Sequence, residues 1–99
     1  MNLVYMNVFH RSEKKLVALC DVDVLGKTFK EGKLKLEVKE GFYRGTLTTM
    51  DKAMEELHEA DIGNLVGRNV VGAAIERGLV NPKAVIYISG TPHVQILRL

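Results

Sequence analysis

The sequence predicts an α+β fold: a single small domain over residues 1–99, with a mostly antiparallel sheet in the order β-β-β-α-α-β-β and two helices packed on one side. Three observations predict it. Residues 33–39 alternate apolar and charged side chains with the period of two of a half-exposed strand. Residues 53–60 switch to spacings of three and four, the stripe of an amphipathic helix. The remaining apolar runs are short, rich in Val, Leu, Ile, Tyr and Phe, and separated by turn residues, so the sheet dominates.

The elements follow in order. Residues 3–9 and 15–20 are β-rich runs flanking the polar "HRSEK", which reads as a hairpin. "GKLKLEVKEG" is the third strand, with Leu34, Leu36 and Val38 on one face, charged residues on the other, and Gly32 and Gly41 as its bounds. Ala53, Met54, Leu57 and Ala60 define the first helix, with Thr49 or Asp51 placed to accept its first amide hydrogens. The second helix is expected to start near Asn64 as its cap and run through Val66, Val70, Val71, Ala74 and Ile75 to Arg77, where Gly78 takes the left-handed position. Its interior Gly67 and Gly72 each cost about 1 kcal/mol relative to alanine and so require a reason, such as close packing. Asn81-Pro82 marks a turn. Residues 85–88 and 94–97 are the final strands, reversed through "SGTPH" by Gly90 and Pro92.

Composition narrows the function classes. With 46% hydrophobic and 26% charged residues, the chain has the balance of a folded domain. No leader is evident at the N-terminus and no apolar run approaches a membrane span, so a cytoplasmic protein without a membrane partner is expected. One cysteine, Cys20, excludes an intrachain disulfide, and His10, His58 and His93 lack a second ligand at metal-binding spacing. No metal or other cofactor is expected.

The formal charge of +2 conceals segregation. Residues 27–44 hold six basic residues against three acidic ones, net +3, whereas residues 51–61 hold one against five, net −4. Lys27, Lys33, Lys35 and Arg44, with Phe42-Tyr43 interleaved, form a composition suited to following a phosphate backbone and stacking a base. A lysine-bearing strand face is also what solvation and edge protection require. Asn64, Arg68 and His93 are candidates for a second polar site. "GNLVGRN", residues 63–69, fits either an anion held by backbone amides or tight packing through Gly63 and Gly67.

Other motifs are weaker. "GKT" at 26–28 ends like a phosphate-binding loop, but position 21 is aspartate where that motif needs glycine. Asp21 and Asp23 have too few neighbouring oxygen ligands for a hard cation, and Asp21 is better suited to capping a single helical turn ended by Gly26. Cys20 beside Asp21 reads as a buried small hydrophobe, since a carboxylate disfavours the thiolate. His93 suits proton transfer, and a small enzyme pairing it with Cys20 or Asp21 is one reading, although no nucleophile, base and orienting group can be grouped from sequence.

The stretches "ALCDVDVLGKTF", "DIGNLVGRNVVGAAIERGLV" and "SGTPHVQILRL" resemble a small archaeal family, domain of unknown function 424, over nearly the whole chain. Cys20, Gly26, Lys27, Asn64, Leu65, Gly67, Gly90, Pro92 and His93 match its recurrent pattern, while Val94 stands where a smaller residue is expected. The resemblance assigns no role to these residues and implies only an association with translation and RNA. The leading expectation is therefore a non-enzymatic RNA-binding or ribonucleoprotein-associated module, using Lys27, Lys33, Lys35 and Arg44 on phosphate. The alternative is a protein-interaction adaptor that uses the acidic helix, with Glu55, Glu56 and Glu59, or a sheet edge.

Overall fold

Strand-forming runs at the N-terminus build the expected hairpin, β1 (Leu3–Arg11) against β2 (Lys14–Asp21), in a computed structural model that describes residues 3–98. Its two turn residues, Ser12 and Glu13, both have positive φ, the mirror-image turn whose twist matches that of the strands. A 3-10 turn at Val22–Val24 leads into a second hairpin, β3 (Thr28–Glu31) and β4 (Leu34–Glu37). The one-turn helix α1 (Glu40–Tyr43), β5 (Thr46–Thr49), α2 (Met50–His58), β6 (Ile62–Val66) and α3 (Arg68–Glu76) follow. A 3-10 turn at Pro82–Ala84 precedes β7 (Ile86–Ile88) and β8 (Thr91–Leu97).

The fold is mixed α+β, mostly sheet with three helices, but its element order differs from the expected one. The main sheet has the order β5-β1-β2-β6-β8-β7, and its β2–β6 pair is parallel while the others are antiparallel. The alternating segment around 33–39 is not a strand of that sheet. It pairs with residues 28–31 in a separate two-stranded ribbon. Asn64 to Val66, expected to open the second helix, belong to the central strand β6, so Asn64 is a strand residue and Gly67 is the N-cap of α3. The segment is too short, and its face alternation too blurred by Gly63, for periodicity to separate helix from strand.

Alternation along the strands sorts the core into two layers. Val4, Val17, Leu19, Leu65 and Val94 face α2 and α3, which contribute Ala53, Met54, Leu57, Val70, Val71 and Ala74. Ala18, Cys20, Val66 and Ile88 face the other way, under Val24, Leu36, Val38 and Tyr43. α2 and α3 therefore share one face, while α1 and the β3–β4 ribbon lie on the opposite one, so the expected packing of two helices on one side is not exactly matched. Residues 17–20 of β2 are fully buried because both faces are covered, which accounts for the unbroken apolar run there. In α2, the Thr49 hydroxyl accepts the Lys52 amide at 3.2 Å, as its spacing predicts.

The β6–α3 junction rests on Asp21 at the end of the parallel neighbour β2. Its carboxylate accepts the amides of Asn69 (2.8 Å) and Val70 (2.9 Å), capping α3 from across the sheet and not the 3-10 turn beside it in sequence. Gly67 has φ +119°, and a Cβ there would overlap the Asp21 carboxyl group. A Cβ on Gly63 would stand 2.8 Å from Leu57 Cδ1. Tight packing thus accounts for both glycines, and the amides an anion would need are taken by Asp21.

Candidate nucleic-acid interface

The sheet separates the two charged segments of the sequence. The segment 27–44 covers one face through Phe29, Leu36, Val38, Phe42 and Tyr43, and the segment 51–61 covers the other through Ala53, Met54, Leu57 and Ala60. The basic and acidic segments thus form opposite sides of the molecule.

The expected lysine wall is not continuous. Lys33 lies in the turn between β3 and β4, and Lys39 is outside the strand as the N-cap of α1. Lys35 stands opposite Lys30 but within 3.5 Å of Glu37, and Arg44 binds Glu40 at 2.9 Å. Lys27 lies apart, in a crevice of about 340 Å³ with Asp21, Asp23, Phe29 and Arg68. Exposed pairs of this kind are worth about 0–1 kcal/mol, so the cations can exchange partners for phosphate. They act as a diffuse basic border and not as a single charged strand.

Of the polar candidates, Asn64 and His93 share the basic side, while Arg68, the first residue of α3, lines the crevice with Lys27 and Phe29 and also the groove beside α3. Strand register lays the basic face out in rows. Asn7, Ala18, Asn64 and Gln95 form one row across β1, β2, β6 and β8, and Phe9, Leu16, Ile62 and Leu97 form the next. Gln95 Nε2 donates to Asn64 Oδ1 at 2.9 Å, at the surface. His93 Nδ1 lies 2.9 Å from the Leu65 carbonyl, which can only accept, so Nδ1 carries the proton and Nε2 is an acceptor with no hydrogen-bond partner among the described residues. Beyond the edge of the ribbon and α1, this half of the sheet face is open: Leu97 is 69% exposed, and Ile62, Asn64 and His93 are partly so.

Sequence reasoning picked out Phe42 for stacking but missed its partner Phe9 and the neighbouring cations Arg11 and Lys14. Phe9 and Phe42 stack with centroids 5.4 Å apart and planes 15° from parallel. They line a groove of about 420 Å³ with Leu16 and Ile62, bordered by Arg11, Ser12 and Lys14. Strand alternation in β1 does put Phe9 and Arg11 on one face, a signal visible in the sequence, but the meeting of Phe9 with residue 42 is tertiary. Glu13 sits between the two cations in the turn, leaving that corner at net +1.

The groups of the enzyme reading do not converge. Cys20, Val66 and His93 lie in one row with the valine between, so two strand spacings, about 10 Å, separate thiol-bearing and imidazole-bearing strands. Burial, reinforced by Asp21 and Asp23, pushes the Cys20 thiol up to about 12. Asp21 points to the opposite face with both oxygens committed to α3. "GKT" enters strand β3 and not a helix, so it forms no phosphate loop. Among the described residues no three His, Cys, Asp or Glu side chains gather as metal ligands, and no helix is long and apolar enough to cross a membrane.

No curated protein matches the chain. A solved structure, an uncharacterized conserved protein from Methanopyrus kandleri, is similar to it with 27% sequence identity and a TM-score of 0.78, over 98% of this chain and 94% of that one. The model of a family described as protein of unknown function (DUF424) matches residues 9–99, and the chain belongs to that family.

Proposed function

We propose that the protein is a non-enzymatic RNA-binding module, of the kind that works in ribonucleoprotein or translation assemblies, and that it holds single-stranded RNA on the open half of its basic sheet face. The observation that carries this reading is the conjunction of the Phe9–Phe42 stack, bordered by Arg11 and Lys14, with the Asn64–Gln95 amides and the His93 Nε2 acceptor on the same face. Aromatic rings take bases by stacking, amides and imidazole meet base edges, and guanidinium or ammonium groups meet phosphate. Four strands span about 14 Å, room for two or three nucleotides. Lys33, Lys35, Lys27 and Arg44 form the flanking field that raises encounter rates.

Fluorescence anisotropy with a labelled single-stranded RNA tests it. Phe42→Ala is expected to weaken binding about tenfold or more. Arg11→Ala with Lys14→Ala is expected to flatten the log–log salt slope by about 1.4. Absence of binding at low salt overturns the reading. The adaptor alternative draws on an acidic hollow of about 490 Å³ along α2. There, however, Glu56 already binds Lys15 (2.6 Å) and Lys52, and Asp51 binds Arg77 (2.8 Å), which leaves less charge for a partner.

A further inference from the structure

The side of the molecule away from the open sheet face carries a groove of about 430 Å³ between α3 and the β7–β8 edge, lined by Arg68, Val71, Gly72, Ile75, Tyr87 and Pro92, with Gly90 at its end. Gly72 is exposed in the middle of the helix, and a Cβ there would meet nothing within 4 Å. Glycine destabilises a helix interior, and no contact among the described residues explains it here, unlike Gly63 and Gly67. Tyr87 is 59% exposed at the groove. Arg68 and Glu76, one turn before and one turn after Gly72, have no ion-pair partner among the described residues.

We infer that this groove is a dimer interface occupied by α3 of a second copy of the chain. Charge spacing selects that occupant. When two α3 helices cross antiparallel about a two-fold axis at Gly72, residues equally far before and after it face each other. Arg68 of each copy then meets Glu76 of the other, giving two equivalent ion pairs from one self-complementary patch. The two Gly72 positions meet at the axis, where the missing side chains let the helices approach closely, and Ile75 and Tyr87 lose their exposure alongside. The interface lies opposite the open sheet face, so both copies keep that face free.

Sedimentation velocity of the full chain without RNA, at about 100 µM, tests the inference. The wild type is expected to sediment as a dimer, Arg68→Glu and Glu76→Arg each as a monomer, and the double reversal Arg68→Glu with Glu76→Arg as a dimer again. Gly72→Leu is expected to be monomeric with a thermal midpoint no lower than the wild type, because it fills the interface while favouring the helix, and this separates interface loss from misfolding. A monomeric wild type, a dimer that survives either single reversal or Gly72→Leu, or a double reversal that stays monomeric overturns it. Because RNA is absent, these outcomes are independent of the proposed RNA contact.

Discussion

Asp21 is the sole buried charged side chain among the described residues, and its two hydrogen bonds tie the end of β2 to the start of α3. The sequence identifies its chemistry, a cap, but not its helix, because the capped amides are 48 and 49 residues away and only the parallel β2–β6 pairing brings them together. Asp21→Ala leaves two helix amides without their partner and is expected to cost about 2 kcal/mol, measured by urea denaturation, with Asp21→Asn less severe. Burial raises the Asp21 carboxyl above its ordinary 3.8, against the lowering effect of the Asn69 and Val70 amides. The native state therefore binds this proton more readily than the unfolded chain. The associated stability is fully present below 3.8 and is lost as pH rises through the raised value. The stability of the wild type relative to Asp21→Asn is thus expected to be higher at about pH 4 than at about pH 7, and the opposite slope would contradict the burial argument. Cys20 gives a simpler test. Fully buried and with its thiol raised to about 12, it is expected to resist a thiol reagent such as DTNB in the native protein and to react once the protein unfolds.

At the scale of elements, what was legible in the sequence was whatever had a local cause. The β1–β2 hairpin, α2 with its Thr49 cap and the left-handed Gly78 after α3 all follow from neighbours within a few residues. What was not legible depended on distant partners. The central strand β6 has no clean period because Gly63 yields its place to Leu57, and the ribbon β3–β4 alternates like a sheet strand because one of its faces is pressed onto the sheet by Leu36. The β1–β2 turn places Ser12 and Glu13 at φ 51° and 64°, where L side chains are disfavoured. Replacing the pair by Asn-Gly is expected to stabilise the fold by about 1 kcal/mol, seen as a higher denaturation midpoint. Gly67→Ala combines a positive φ with overlap on Asp21 and is expected to cost more than about 2 kcal/mol, read in the same assay.

For the whole molecule, the sheet converts charge segregation along the chain into charge segregation in space. The acidic α2 and the basic segment 27–44 end on opposite faces because each supplies one apolar side to a different core layer. Composition showed that the charges were segregated. Which cations share the open sheet surface could not be read from it, because Lys33 and Lys35 belong to the ribbon while Arg11 and Lys14 come from the first hairpin. An RNA ligand should therefore recognise one face of the sheet. The most direct test is an amide chemical-shift map recorded while a short single-stranded RNA is titrated into the labelled protein. Perturbations confined to the surroundings of Phe9, Arg11, Lys14, Phe42, Asn64, His93 and Gln95, with α2 unchanged, are the predicted result. No perturbation at low salt, or perturbation centred on α2 and the Asp51–Arg77 side, would contradict the account.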